Sequence, residues 1–301
     1  MPADLWINLL VTTTLIEMMF AVGLGTTLGE LLAAIRQWRL TIRVTVANYL
    51  LVPAVAVALL LAFRAKPMAA AGILILAVCP GAPYGPPFTA IARGSVATSV
   101  GWMVMLAATS ALIAPLLLSV LLPLTSGDAR LDIDALRLAG TLLLSQLAPL
   151  CAGLAVRARR PNLAARMLPK ANGISKILNV ATVGLILGVQ YRTLLDIRWT
   201  AFAGMFAGMF ALLVASLAAG WLLGGPSREI RKTLAITTSL RNAAVGMVIA
   251  SSSFPGTPAL TAVLAYALVD VLGSLAIALW WGRRDAMSSR NAAGAALSSA
   301  R

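Results

Sequence analysis

Uncharged apolar runs constrain this chain more than any other feature of its sequence. The segments Val46–Phe63, Val100–Leu122 and Thr200–Leu223 contain no Asp, Glu, Lys or Arg. Each has the length, ~20 residues, that an α-helix needs to cross the hydrocarbon core of a bilayer. Because 60% of the 301 residues are hydrophobic and only 11% are charged, the composition excludes a soluble domain of this size. We therefore expect an all-α membrane protein whose solvent is the lipid bilayer.

Charged or turn-rich breaks divide the chain into nine predicted spans, which form a single transmembrane domain over residues 1–290. The spans lie near residues 6–29, 41–63, 68–92, 95–122, 136–156, 174–190, 200–223, 233–254 and 260–281. The remaining segment, 291–301, is rich in Ala and Ser, and this composition predicts a disordered tail.

The distribution of positive residues explains the net charge of +14. Most of the 24 Lys and Arg residues fall in alternate loops, with a dense group at 157–170. The positive-inside rule then predicts an outside N-terminus and a cytoplasmic C-terminus. The positive charge faces lipid headgroups, which excludes nucleic acid as a partner and leaves the lipid bilayer. The Ala, Leu and Arg content fits a bacterial inner (cytoplasmic) membrane.

Metal chemistry and disulfide bonds have no basis in the sequence. The chain contains no His, and its two cysteines, Cys79 and Cys151, lie in apolar surroundings without the spacing of zinc ligands. An intramembrane enzyme would need a nucleophile with a paired base or a set of metal ligands, and neither is visible. We therefore predict neither a metal site nor an enzyme.

Two predicted spans cannot be continuous helices. The third contains the segment Cys79–Pro87, with four prolines and two glycines in nine residues, so its helix must unwind. The eighth contains the polar string Thr237–Asn242 at mid-span. Non-helical backbone is tolerated at membrane depth only where it lines a cavity or is buried in protein. Both interruptions therefore indicate a site in the interior.

The positions of the two interruptions predict an inverted repeat. If the fifth span is a linker, spans one to four and six to nine form two sets of four with opposite direction, and the interrupted helix is third in each. Such repeats in secondary transporters place a binding site near the midplane, between discontinuous helices. The spacing thus predicts two discontinuous helices that cross around a substrate site.

At these motifs the chain resembles the bile acid:sodium symporter family, within the superfamily of bile acid, arsenite and riboflavin carriers. The residues that carry the resemblance are Met19–Leu28, Asn48–Pro53, Cys79–Gly81, Ala92–Gly94, Ala97–Val100 and Asn242–Ala244. The resemblance implies a panel and a core domain of ten helices, with two broken helices that cross in the core. The chain looks like a version that lacks the first helix, which agrees with nine spans and an outside N-terminus.

The chain departs from the sodium-dependent members of this family at their ligand positions. Where such members carry a Ser-Asn pair after the Cys-Pro-Gly motif, this chain has Gly85 and Pro86, which offer no side-chain oxygen. In the eighth span, Thr237 stands at the position of the family's Glu, and Arg241 at that of its Gln. Sodium prefers several oxygen ligands, and a guanidinium would repel it. The resemblance implies sodium as the one candidate cofactor, and these departures argue against it.

Several polar residues near the interruptions are further candidates for substrate or ion contacts. Asn48 and Ser99 stay close to the ligand pattern of the family. Ser239 and Asn242 belong to the polar string of the eighth span, and Tyr84 lies in the unwound part of the third. Together with Gly85, Pro86 and Thr237, these are the predicted lining of the site.

Three ionisable residues lie within predicted spans, namely Glu17, Arg241 and Asp270. A charge at the centre of a bilayer costs about 3 kcal/mol or more unless it is paired or hydrated, so each is a candidate functional residue. Our hypothesis is that Arg241 replaces the sodium ion as a tethered positive charge. It would then either bind an anionic substrate directly or pair with Asp270 or Glu17 in a proton-dependent switch.

These observations favour a secondary transporter of a small organic anion that works by alternating access. Its coupling remains open between protons, sodium through a degenerate site, and no ion at all. One alternative is a transporter fold that serves as a receptor or scaffold without transport. Another is an arsenite-type efflux carrier, in which the Cys79 thiolate would be the ligand. No sequence pattern indicates an oligomeric state.

Overall fold

The computed structural model describes the backbone of residues 2–126, 131–195 and 199–299, and all regular structure in these ranges is helical. The first half contains α1 (Pro2–Gly25), α2 (Leu28–Arg36), α3 (Trp38–Val46), α4 (Val52–Ala62), α5 (Pro67–Ala77), α6 (Gly85–Ile91) and α7 (Val96–Ser126). The second contains α8 (Ala135–Leu142), α9 (Ala148–Arg159), α10 (Pro161–Leu195), α11 (Trp199–Leu223), α12 (Arg228–Ser239), α13 (Ala243–Ser253) and α14 (Ala259–Ser299). Single π-turns, Ala47–Leu51 and Leu143–Leu147, join α3 to α4 and α8 to α9.

Seven helical segments of the described chain are long and apolar enough to cross a membrane, and each coincides with a predicted span. They are Asp4–Gly25, Trp38–Ala62, Val96–Thr125, Ala135–Arg159, Pro161–Val189, Gly204–Leu223 and Ala259–Met287. The two remaining predicted spans are interrupted, as their sequences indicated. Each contains a short apolar helix, Pro67–Ala77 in the third and Ala243–Ser253 in the eighth.

The interruption between α5 and α6 follows from its prolines and glycines. Gly81 has a φ of +87°, a conformation that L side chains rarely adopt. A Cβ at this position would also lie 2.8 Å from the Cα of Ala107 and 2.9 Å from the carbonyl oxygen of Met103. Glycine is therefore required both by the backbone angle and by the close approach of α7.

The interruption between α12 and α13 contains only three residues. Leu240 is extended, with φ −88° and ψ 127°, and the Asn242 side chain accepts a hydrogen bond from the N–H of Val245 to cap α13. A polar cap of this kind supplies a partner for one of the N–H groups that a new helix leaves unpaired. The Asn in the polar string is thus the start signal of a second half-helix.

The two interruptions meet and bond to each other, and we call this the crossing. Pro80 and Arg241 form an isolated antiparallel bridge. The N–H of Asn242 donates to the carbonyl of Cys79 at 2.7 Å, and its side-chain amide donates to the carbonyl of Gly81 at 3.3 Å. Each break thereby supplies hydrogen-bond partners that the other has lost, which satisfies the requirement for buried backbone in a membrane.

Two groups of helices lie around the crossing. We call α1, α9 and α10 the panel, because α1 packs mainly on the other two, and α5–α7 with α11–α14 the core. Gly23 of α1 and Gly153 of α9 lie back to back, so that a Cβ on either would be 2.9 Å from the Cα of the other. Small residues of this kind let two membrane helices approach closely.

Three predicted boundaries are corrected by the structure. The first span ends at Gly25, and Thr27 and Glu30 form a capping box that starts the separate helix α2. Helix α10 already begins at Pro161, within the expected basic loop. The tail expected to be disordered is helical as far as Ser299, because its alanines favour helix, and residues 300 and 301 lie outside the described chain.

Replacing Gly23 with Ala should destabilise the protein, because the new methyl group would overlap the backbone of α9. Overpacking of this kind costs roughly 1–3 kcal/mol. The control is Gly173→Ala on α10, where nothing lies within 4 Å of the added Cβ and higher helix propensity should be neutral or stabilising. The measurement is the midpoint of thermal unfolding in detergent. A Gly23→Ala protein as stable as Gly173→Ala would contradict the close packing of α1 on α9.

Candidate functional site

A cavity of about 470 Å³ lies beside the crossing, between panel and core. Its wall is formed by Met18 of α1, by Asn179, Val180, Val183, Gly184 and Leu187 of α10, by Leu264, Ala267, Leu268 and Val271 of α14, and by Pro83, Tyr84, Arg241, Asn242, Ala243, Ala244 and Met247 at the crossing. Most of these residues are apolar, and the polar ones gather at the crossing and at one position of α10. A ligand that fits the cavity therefore combines an apolar body with a polar group.

The start of α13 is the most polar part of this wall. Asn242 caps the N–H of Val245, and Ala243 and Ala244, the first residues of α13, line the cavity. The positive end of the helix dipole favours a negative charge at this position. Tyr84, which is 42% exposed, adds a hydroxyl from the other interruption. The sequence predictions for Tyr84 and Asn242 as lining residues are consistent with this geometry.

The Arg241 guanidinium lies within the crossing, on the side where α5 and α12 end. The residue is 1% exposed. Its Nη1 donates to the carbonyl of Ala77 at 3.2 Å, and its Nη2 donates to the carbonyl of Thr238 at 2.6 Å. Carbonyls at helix C-termini lack intrahelical partners and carry partial negative charge. The guanidinium therefore occupies a position where two half-helices would otherwise present oxygens to a cation.

Asp270 of α14 is the carboxylate that contacts Arg241. Its Oδ2 accepts the backbone N–H of Arg241 at 3.1 Å, and the side chain is fully buried. Within the described chain, the Oδ1 of Asp270 and the Nε of Arg241 have no hydrogen-bond partner. The expected association of Arg241 with Asp270 is therefore made through the backbone, and it leaves one polar atom of each side chain unsatisfied.

Glu17 takes a different partner from the one expected. The hydroxyl of Ser175 donates to its Oε2, which joins α1 to α10 within the panel. Its other oxygen is buried without a partner in the described chain. Glu17 thus contributes to the panel, whereas Asp270 contributes to the crossing.

Three other predicted residues form a polar layer around α12 and do not line the cavity. The Asn48 amide donates to the carbonyl of Val44 at 2.8 Å and to the hydroxyl of Thr238 at 3.4 Å. The hydroxyls of Ser99 and Thr237 lie 3.5 Å apart. All three predicted residues are buried, so they fix α12 to the second and fourth spans.

The remaining predicted residues are also buried away from the cavity. Gly85 and Pro86 form the first turn of α6, and a Cβ on Gly85 would lie 3.7 Å from the Ser99 hydroxyl. The Ser239 hydroxyl lies 2.8 Å from that of Ser274, which links α12 to α14. These residues pack against the crossing and do not line the cavity.

The residues at the family's sodium positions do not fit a sodium ion. Sodium needs several oxygens at one point, preferably with a carboxylate among them. Gly85 and Pro86 have no side-chain oxygen, and Thr237 has only a hydroxyl at the position where the resemblance implies a carboxylate. The carbonyls of Ala77 and Thr238 already accept from the Arg241 guanidinium. A second cation at this point would meet a fixed positive charge.

Sequence reasoning missed two polar residues. Lys232, which we assigned to a loop, is buried in α12, where its Nζ donates to the carbonyl of Ala92 at 3.0 Å and forms an ion pair with Asp285. Asn179 of α10 lines the cavity. An amide within a predicted span was a usable signal for Asn179. The burial of Lys232 depends on how α14 packs, and no local pattern encodes it.

Replacing Asn242 with Ala should destabilise the crossing, because it removes both the cap of α13 and the bond to Gly81. Loss of an N-cap alone costs about 0.5–2 kcal/mol. The matched control is Asn179→Ala, whose amide donates at 2.8 Å to the carbonyl of Ser175 in its own helix. Thermal unfolding in detergent should separate the two variants, and equal midpoints would count against the crossing bonds.

Comparison with known proteins assigns the chain to a family. The sodium bile acid symporter family matches residues 12–197, more than half of the 301 residues and including the first interruption. The uncharacterized sodium-dependent transporter YocS of Bacillus subtilis (strain 168) is 24% identical over 291 residues, which cover 93% of this chain and 85% of that protein. Members of the family are transporters, not enzymes. The chain therefore belongs to the sodium bile acid symporter family and is a multi-pass membrane protein that acts as a secondary transporter of a small molecule.

Proposed function

We propose that the protein carries a small organic anion with an apolar body across the bacterial inner membrane, through the cavity beside the crossing. The observation that carries this proposal is the composition of the cavity wall. Apolar side chains of α10 and α14 form much of it, whereas Tyr84, Asn242 and the first residues of α13 line it at the crossing. A carboxylate there would be stabilised by the helix dipole.

The proposed topology has nine crossings, an outside N-terminus and an inverted repeat of four and four helices around a linker. Its support is the position of the two interruptions, each third in its set, together with their antiparallel contact at Pro80 and Arg241. The cavity lies where the panel meets the core, so a movement of one group against the other would open it to alternate sides. Alternating access follows from this arrangement.

The proposed role of Arg241 is that of a tethered cation in place of sodium. Its guanidinium takes the carbonyls at the ends of α5 and α12, and each helix C-terminus carries about half an elementary negative charge. The two ends therefore balance one positive charge without a diffusible ion. On this basis the chain differs from YocS, whose name describes sodium dependence.

The arsenite alternative has little support from the geometry. Cys79 is fully buried, and its sulfur belongs to the hydrophobic core behind the cavity. Its carbonyl, by contrast, is a functional part of the crossing because it accepts the N–H of Asn242. The motif residue is thus explained by packing and backbone pairing.

Filling the cavity should abolish substrate binding without unfolding the protein. Gly184 lines the cavity and has nothing within 4 Å of an added Cβ, so Gly184→Leu would occupy the site. Gly188, one turn further along α10, is equally open and does not line the cavity, which makes Gly188→Leu the matched control. The measurement is the rise in unfolding temperature with each member of a panel of organic monoanions. An anion that stabilises all three proteins equally would place binding elsewhere.

Sodium should not stabilise the wild-type protein, since the guanidinium holds the cation position. The unfolding temperature should stay constant as sodium replaces choline at constant ionic strength.

Arg241→Gln should lose uptake of the anion identified above into proteoliposomes, whereas Arg159→Gln, a change at an exposed site, should retain it. A saturable, sodium-specific rise in the wild-type unfolding temperature would overturn the assignment of Arg241.

A further inference from the structure

Arg241 and Asp270 form a buried charge arrangement that the binding of an anion does not by itself explain. Asp270 is 0% exposed, and only one of its two oxygens is bonded within the described chain. An ionised carboxylate removed from water needs bonds to both oxygens or a close counter-charge. The guanidinium that could provide the counter-charge is instead bonded to the carbonyls of Ala77 and Thr238.

An ionised Asp270 would hold one bonded and one unbonded oxygen in a region of low dielectric constant, where an unpaired charged atom is costly. A proton on Asp270 removes that charge and gives its unpaired oxygen the chemistry of a neutral hydroxyl.

Asp270 lies close enough to the cavity for its charge to affect an anion bound there. Its neighbours Ala267, Leu268 and Val271 line the wall, and its own side chain contacts Arg241, which also belongs to the wall. Asp270 therefore lies one layer behind the surface that a substrate touches. An anion in the cavity would be repelled by an ionised Asp270 and would meet no such repulsion from the protonated form.

We propose that Asp270 is the proton-binding site of the carrier, and that each anion is carried together with one proton. The carboxylate takes a proton from water on the side to which the cavity is open, and it returns the proton to water on the other side when the anion leaves. No bond other than the O–H bond of Asp270 is made or broken. For a monovalent anion the cycle moves no net charge. This inference rests on the proposed transport of an anion.

The groups around Asp270 are consistent with this role. Arg241 faces it from the crossing, and Tyr266 lies one turn away on α14. Cys79, which follows α5, and Tyr49 of the second span lie close to Arg241. Asp270 is the carboxyl group in this set, so it is the group that we expect to exchange a proton beside the cavity.

Proton and anion must then strengthen each other's binding by the same factor, since linkage between two sites is reciprocal. A coupling of about 5- to 150-fold is typical of interacting sites in proteins. Asp270→Asn imitates the protonated state. It should therefore bind the anion at high pH as tightly as the wild type binds it at low pH, and its affinity should not change with pH. A gain of affinity cannot result from misfolding.

The first experiment needs no substrate. Infrared difference spectra of the purified protein during a pH titration report protonated carboxyl groups, and the chain has only 10 Asp and Glu residues. We expect a band that grows as the pH falls, disappears in Asp270→Asn, changes frequency in Asp270→Glu and persists in Asp285→Asn. The absence of any pH-dependent band from Asp270 would overturn the proton site, whether or not the protein binds anions.

The second experiment measures the affinity for the stabilising anion against pH, in wild type and in Asp270→Asn. Affinity that rises as the pH falls in the wild type alone would support the coupling. The same pH dependence in both proteins would overturn it. Because the infrared band needs no anion and the anion screen needs no titration, failure of this inference is distinguishable from failure of the proposed function.

Discussion

The structure depends on the need to bond every backbone polar group inside a membrane. Four helix ends meet at the crossing, and each leaves N–H or C=O groups without intrahelical partners. The bonds from Asn242 to the carbonyls of Cys79 and Gly81 join the two interruptions to each other. Arg241 satisfies two further carbonyls with its side chain. At the crossing, therefore, both helices are interrupted and the carbonyl groups that lose helical partners accept hydrogen bonds from the opposite segment.

The interruptions could be predicted from the sequence because their causes are local. Prolines and glycines in Cys79–Pro87 forbid a continuous helix, and the string Thr237–Asn242 is too polar for a lipid-facing segment. The long apolar runs fixed the remaining spans for similar reasons. Where a residue acts through its own backbone preference or its own hydrophobicity, the sequence is sufficient.

Features that depend on packing between distant segments could not be predicted. The burial of Lys232 requires Asp285 of α14, and the partner of Glu17 is Ser175 of α10. Helix α2 begins with a capping box at Thr27 inside an apolar stretch that reads as one span. Asn48, Ser99 and Thr237 were expected in the site and instead lie behind it. The polar character of these side chains predicts that each forms a hydrogen bond or an ion pair. Which residue is its partner depends on the packing of distant helices.

If Arg241 replaces the sodium ion as proposed, the protein keeps the positive charge of the site without a dissociable ion. Two helix C-termini at one point attract a cation whatever its source. In this chain the positive charge is covalently attached at Arg241, so the desolvation of the cation takes place once, when the protein folds. The site next to the cavity is then set by a carboxyl group, Asp270, whose charge can vary. Arg241 thus carries the charge that is always present, and Asp270 carries the charge that changes with protonation.

The charge of Arg241 cannot dissociate from the protein. This affects the step in which the empty carrier reorients to its starting side. A dissociable ion leaves with its substrate, whereas a guanidinium in the crossing stays with the core. Any displacement of the core along the membrane normal then carries this charge through part of the transmembrane voltage, which is worth about 2.3 kcal/mol per elementary charge per 100 mV. With Asp270 ionised, the pair moves as a dipole and the voltage acts on it less. In the proposed cycle the empty carrier has released its proton, so Arg241 and the ionised Asp270 move as a neutral pair, and membrane potential has little influence on which way the unloaded protein faces.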